Sequence, residues 1–325
     1  MLISILLPFL LSTHAESLPP GESKVLSETV KQVQKVNKPR ACPVPESEFD
    51  RWAGLPECGV NQQIPRVYLK KYPKHFRFGI TPLGAEVNDA ISKAFDRRTK
   101  DPNFSGVVYF GNGPIYGPGG AAKGYLKSGG KVISKINCDP DPTDGNWGKE
   151  NGVFIAYRPR ARNADGKYQT QDLESPGDYK FRVISTRTLC NQCGLLQTEP
   201  KKWESEGEDL IQCDQIDFAI QSGPAILLEG ESKVPDFKST TAETRSLIGV
   251  ANDGSPVTVD VDGKLSLSCL AEAMKKSGIT ELLHRDSSVI DVAIQGKSGK
   301  WSQHYPSHPS GSKTAASVLV IKPGQ

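Results

Sequence analysis

Asp217-Phe-Ala-Ile-Gln-Ser-Gly-Pro-Ala-Ile-Leu-Leu-Glu-Gly230 reads as an apolar strand broken midway, and Arg245-Ser-Leu-Ile-Gly-Val-Ala-Asn-Asp-Gly254 follows it with a second interrupted run. A plain strand excludes glycine and proline from its interior, so such breaks mark bends or close approaches of backbone. Gln221, Ser222, Gly223 and Pro224 therefore put polar side chains and an open backbone inside a buried-looking strand. Arg245 puts a cation at the start of another. Asn252-Asp-Gly-Ser255 is a turn signal, and Ser246 to Val261 reads as two strands around it.

Working outward, Val87, Ala90, Ile91, Ala94 and Phe95 recur at helical spacing, ahead of a strand at Gly106–Phe110 that stops at Gly111-Asn-Gly-Pro114. Tyr125 to Ile133 reads as a hairpin around Gly129-Gly130. Gly152–Tyr157 and Tyr179–Ile184 are further strands, with polar loop between them. Leu267, Leu270, Ala271 and Met274 form the stripe of a helix capped by Ser266 or Ser268 and stopped by Gly278. A strand from Ile279 to Arg285 and a last one at Ala316–Ile321 complete the chain. The expected fold class is α+β: a mixed, largely antiparallel β-sheet with a few flanking helices.

Leu2 to Leu11 is an apolar run ending at Ser12-Thr-His-Ala15, the anatomy of a secretory signal; it is too short for the roughly 20 residues of a membrane span. We therefore expect residues 1–15 to be a signal peptide, 16–75 an N-terminal extension, with a weak helix at Ser27–Val36, and 76–325 the main domain. The expected location is secreted or periplasmic, with no stable membrane insertion. The net charge of +3 is spread without a basic block, which argues against nucleic acid as partner. Seven cysteines in an exported chain predict disulfides. Cys190-Asn-Gln-Cys193 lacks the second CxxC of a zinc site, so a structural pairing is expected. Cys42 and Cys58 are expected to staple the extension, and Cys269 to stay unpaired. His304-x-x-x-His308 has metal spacing only on a helix, which Pro306 and Pro309 oppose. No metal site and no cofactor are assigned.

Several segments together resemble the phosphodiester glycosidase (uncovering-enzyme-like) family. They are Asn112-Gly113-Pro114-Ile115-Tyr116, Gly124-Tyr125-Leu126 with Gly129-Gly130-Lys131, Asn151-Gly-Val-Phe154, Ala219 to Pro224, Arg245 to Gly254, and the helix Leu267 to Gly278. After that helix the family has a strand ending in Leu-Asp-Gly-Gly. Here Leu283-His284-Arg285-Asp286-Ser287-Ser288 keeps the aspartate and replaces the glycines by serines. His284-Arg285-Asp286 also looks like a kinase catalytic loop, but no glycine-rich loop or Asp-Phe-Gly accompanies it.

The resemblance implies a hydrolase that removes a sugar from a phosphodiester or related glycoside, with a small-molecule or glycan substrate. Arg245 then holds phosphate oxygens and Asp286 serves as the acid/base carboxylate. Asn112, Gly113, Gln221, Ser222 and Gly223 contact the substrate, and Trp301 and Tyr305 are candidates to stack on a sugar. Each residue has a plainer alternative: a surface ion pair for Arg245, a turn cap for Asp286, satisfaction of local backbone for the amides. The function alternative is a non-catalytic glycan- or envelope-binding protein whose Ser287-Ser288 marks a degenerate site.

Overall fold

The computed structural model describes residues 52–55, 58, 64–82, 91–101, 104–114, 122, 124–138, 152–159, 179–193, 213–233, 245–263, 265–287, 292–295, 299–304 and 317–324. All of them belong to the compact unit Cys42–Gln325. The signal run, the helix expected at Ser27–Val36, Cys42, Tyr305 and His308 lie outside the described residues.

Three sheets are built from antiparallel pairs. The first contains β1 (Trp52–Gly54), β2 (Arg66–Lys71), β10 (Ala225–Leu228), β11 (Glu231–Ser232), β12 (Arg245–Ala251), β13 (Pro256–Asp262) and β14 (Ile279–Ser287). Its order is β1-β2-β13-β12-β14-β10-β11. The second, in order β16-β15-β4-β17-β3, is made of β3 (Phe76–Pro82), β4 (Tyr109–Asn112), β15 (Val292–Gln295), β16 (Trp301–His304) and β17 (Ser317–Pro323). The third, β6-β5-β9-β7-β8, is made of β5 (Leu126–Ser128), β6 (Lys131–Ser134), β7 (Gly152–Tyr157), β8 (Lys180–Ser185) and β9 (Ile216–Ser222). With three helices among the described residues, this is the α+β, largely antiparallel architecture that the patterning predicts.

One face of each sheet contributes to a shared core. Tyr68, Ile248 and Leu283 come from the first sheet, Phe78, Tyr109 and Leu319 from the second, and Phe154, Phe218 and Ile220 from the third. The outer faces pack smaller cores, each against a helix. Val257, Val259 and Val261 alternate along β13 and meet α3 (Leu267–Lys276) through Leu270 and Met274. Val153 and Ile155 of β7 meet Leu189 of α2 (Thr186–Gln192), and Phe110 meets Phe95 of α1 (Ile91–Arg98).

Local chemistry sets the ends of these elements. The Ser266 side chain caps α3 by accepting from Cys269 N, and Gly278 leaves the helix at φ +77°. Gly129 and Gly130, at φ +56° and +73°, make the two-residue turn between β5 and β6. Gly249 is required by packing: a Cβ there would lie 2.1 Å from the carbonyl oxygen of Glu281 on β14.

The cysteines depart from expectation. Cys269 is bonded to Cys58, so it is neither unpaired nor left over from a Cys42–Cys58 staple. The apolar side of α3 on which it sits packs against the segment carrying Cys58, a proximity that a helical wheel does not reveal. Cys138–Cys190 and Cys193–Cys213 fasten α2 near its C-terminal end, so the two halves of the CxxC serve different bridges. None of the described helices is long and apolar enough to cross a membrane.

Candidate functional site

The chain changes sheets at Ser222-Gly223-Pro224: β9 ends in the third sheet and β10 begins in the first, across a cis Gly223–Pro224 peptide. This corner is pinned to β14. The Ser222 hydroxyl donates to the Arg285 carbonyl at 2.7 Å, and His284 N donates to the Pro224 carbonyl at 3.1 Å. The His284 ring nitrogen Nδ1 lies 3.1 Å from the Gly223 carbonyl oxygen. On the other side of β14, β12 pairs Arg245 with Ser287 and Ser246 with Asp286. The backbones of Ser222, Gly223, Arg245 and Asp286 thus come to one end of β14, but the register sets Arg245 on the α3 side of the sheet with Val261 and Asp286 on the other side with Ser246. Asp286 lies inside the strand, which runs two residues beyond the predicted end at Arg285.

Asn112 and Gly113 lie at the end of β4 in the second sheet, and no strand pairing among the described residues joins them to the end of β14. Asn112 is opposite Val318 on β17, and Tyr109, three residues earlier on β4, reaches Arg285. Gln221 takes a different part. Its Oε1 accepts from Tyr125 N at 2.8 Å and Asn137 N at 3.0 Å, while Nε2 donates to Asn137 O at 2.7 Å and Thr186 Oγ1 at 3.3 Å. Two lone pairs and two N–H groups are the whole capacity of an amide. Gln221 therefore clamps β5, the 137–138 segment and α2 together, the local satisfaction that is the plainer reading of such an amide.

The two faces of the first sheet carry different chemistry. Arg245 is opposite Val261, and His284 opposite Leu247, both residues of the α3-side core. Arg245 is 2% exposed, so a solvent-exposed surface ion pair does not describe it. His284 is equally buried, and its Nε2 has no hydrogen-bond partner among the described residues. Burial, then the neighbouring Arg245 charge, hold its pKa down to about 3. The ring is neutral at ordinary pH. An unfolded chain takes up a proton near pH 6.5 that the fold refuses, so this contribution to stability is present above that pH and lost as pH falls toward 3. A His284→Gln variant should show a shallower loss of unfolding free energy between about pH 6.5 and 4 in urea titrations; parallel curves would remove His284 as the cause.

Facing the shared core, Arg285, Asp260, Tyr109 and Ser246 form one buried network. Arg285 Nη2 donates to Tyr109 Oη at 2.5 Å and lies 3.6 Å from Asp260 Oδ1. Asp260 Oδ1 also accepts from Ser246 Oγ at 2.7 Å and from Tyr109 Oη at 3.2 Å. Alongside, Tyr72 Oη and Thr258 Oγ1 are 3.0 Å apart. Burial raises the pKa of Tyr109 well above that of an ordinary phenol, so it serves as a neutral donor between a guanidinium and a carboxylate.

The sequence patterning does not single out this network. Thr258 and Asp260 alternate with valines in Pro256-Val-Thr-Val-Asp-Val-Asp262, which reads as a strand with one wet face. The signal that could draw notice is His284-Arg285 inside an apolar strand. Trp301 is committed to packing, with ring centroids 4.9 Å from Phe95 and 6.2 Å from Phe104. Among the described residues, no group of three or more His, Cys, Asp and Glu side chains is arranged to hold a metal ion.

No protein-family model and no curated protein matches the chain. Among solved structures, it is similar to the catalytic domain of zebrafish N-acetylglucosamine-1-phosphodiester alpha-N-acetylglucosaminidase, auto-inhibited by its pro-peptide. The identity is 13% and the TM-score 0.46, over 88% of this chain and 92% of that one. A hypothetical protein from Synechocystis is similar at 11% identity and TM-score 0.44, over 84% of this chain. The match spans only 61% of that longer chain. A protein titled as exported, from Burkholderia pseudomallei, is similar at 13% identity and TM-score 0.44, over 81% and 75% of the two chains. At these scores the likeness is one of backbone course, and it is partial.

Proposed function

We propose that the chain is an exported hydrolase that cleaves a sugar from a phosphodiester or related glycoside at the end of β14. The observation that carries this reading is that the backbones of Ser222, Gly223, Arg245 and Asp286 come to one end of β14 through hydrogen bonds and register, from motif segments far apart in sequence, with Arg245 and Asp286 at positions on alternate faces of the sheet. In this reading Arg245 holds two phosphate oxygens with its planar fork, from a low-dielectric wall where such a contact is strong. Asp286 exchanges the proton with the leaving group. Asn112 and Gly113 border the substrate, Gly223 allows close approach, and Gln221 positions the corner from behind. Three disulfides support an oxidising compartment, consistent with a secreted or periplasmic location.

Arg245→Lys is expected to lower turnover of a sugar-phosphodiester panel by about a hundredfold, because an ammonium cannot hold two oxygens in a fixed plane. Rates are compared per folded molecule, with melting temperature measured alongside. A purely structural Arg245 would shift melting and leave turnover intact. A second reading, a glycan-binding protein with a degenerate site, is favoured by Ser287. This residue continues β14 as extended strand opposite Arg245, where the resemblance calls for glycine. Absence of turnover in the wild type, together with saturable glycan binding, would select that reading.

A further inference from the structure

We propose a second binding site, in the groove along β8, for a small ligand that carries a phosphate or carboxylate on an uncharged polar body such as a sugar. The groove has a volume of about 710 Å³, within the range of small-molecule sites. Cations enter it from separate parts of the fold: Lys74 from the β2–β3 connection, Lys180 and Arg182 from β8, and Lys233 just after β11. The acidic groups beside it are already engaged with Arg182, whose Nε donates to Glu281 at 2.8 Å and whose Nη2 lies 3.9 Å from Glu229. Among the described lining residues Lys74, Lys180, Arg182 and Lys233 outnumber Glu229, and Lys74 and Lys233 form no ion pair there. Leu228 and Pro159, both half-buried, supply apolar surface against which a sugar ring can lie.

One further observation narrows the occupant. β8 is an edge strand, and such an edge can accept an added peptide strand. The amides here are however capped from within the fold, Val183 N–H by the Glu281 carboxylate and Tyr179 N–H by the Lys74 carbonyl. A compact ligand read by side chains fits this edge better than a strand read by its backbone. Glu229 is the one described non-glycine residue with positive φ, at +54°, in the turn before Gly230. With Gly230 at +77° it forms the two-residue hairpin turn between β10 and β11, which sets positive φ at both positions and leaves the carboxylate at the rim of the groove.

The cations of the groove lie away from the end of β14, whereas Ser185 in its lining is separated from Ser222 by β7 alone. Glu281 borders β8 while Asp286 is five residues further along the strand, about 17 Å at the usual rise.

The test is calorimetric titration of the full chain, disulfides intact, with glucose 6-phosphate, inorganic phosphate and glucose. Saturable binding of glucose 6-phosphate is expected, weaker with added salt and tighter than either fragment. Lys74→Glu with Lys233→Glu should weaken it by about tenfold or more. The charge-matched control Lys100→Glu with Lys322→Glu should leave it unchanged. If the reversed pair melts early, Lys74→Gln with Lys233→Gln removes the charges more gently. No saturable binding, equal loss in the control, or inorganic phosphate binding as tightly as the sugar phosphate would overturn the proposal.

Discussion

Replacing Cys58 and Cys269 together by serine is expected to lower the unfolding free energy by about 5 kcal/mol, the chain-entropy figure for so long a closed loop. The two residues are 211 apart in sequence, and their bond ties the segment before β2 to α3. Without it, the unfolded chain regains most of its freedom, while Leu55 and Cys58 lose their anchor on the α3-side core. Guanidinium unfolding of the double variant and the parent, both oxidised, measures the difference. Peptide mapping without reduction supplies an independent check. A fragment pair joining Cys42 to Cys58 would contradict the bridge, and a stability loss below about 1 kcal/mol would contradict its energetic weight.

Asp260→Ala is expected to cost about 3–5 kcal/mol, because it leaves the buried Arg285 guanidinium without its carboxylate. Arg285 and Asp260 are both fully buried, and Asp260 also accepts the Ser246 and Tyr109 hydroxyls. Burial works against the charge of Arg285, and the Asp260 carboxylate together with the Tyr109 hydroxyl that accepts its hydrogen bond keeps it a cation. The alanine variant strands that charge in a medium that solvates it poorly. A second substitution, Arg285→Met on the Asp260→Ala background, should recover part of the loss, since it removes the orphaned charge. The contrast is Lys71, whose ion pair with Asp253 is exposed at 39% and 50%; Lys71→Ala should change stability by about 0–1 kcal/mol. Urea unfolding of the three variants decides it. Equal small losses for Asp260→Ala and Lys71→Ala would show that the buried network is not what holds the sheets together.

Local signals carry much of the secondary structure. The Gly129-Gly130 hairpin, the Asn252–Ser255 turn, the Ser266 cap and the Gly278 stop all appear where the residues predict them. Each depends on a few adjacent residues, through φ preference or a side chain within reach of its own backbone. The break at Gly223-Pro224 is also legible, as a place where a strand cannot run straight. Of the candidate site, Arg245 and the Ser222-Gly223 corner are recognisable as irregularities in apolar runs. Gln221 looks equally suited to a ligand, and only its four hydrogen bonds assign its amide to the fold.

By itself, then, the sequence determined β4 to β10, β12 to β14 and β17, the helix α3 with its cap and stop, and that the sheets would be largely antiparallel with few helices; β1 and β2, inside the stretch read as an extension, and the helix α2 were not legible in it. The tertiary structure alone decided that both faces of β13 are buried, making Asp260 a core carboxylate; that β9 and β10 belong to different sheets; and that Cys269 meets Cys58. The physical reason is range. Backbone preference and side-chain period act over a few residues, whereas burial and pairing depend on which distant element packs against a face, and a single strand carries no record of its neighbour.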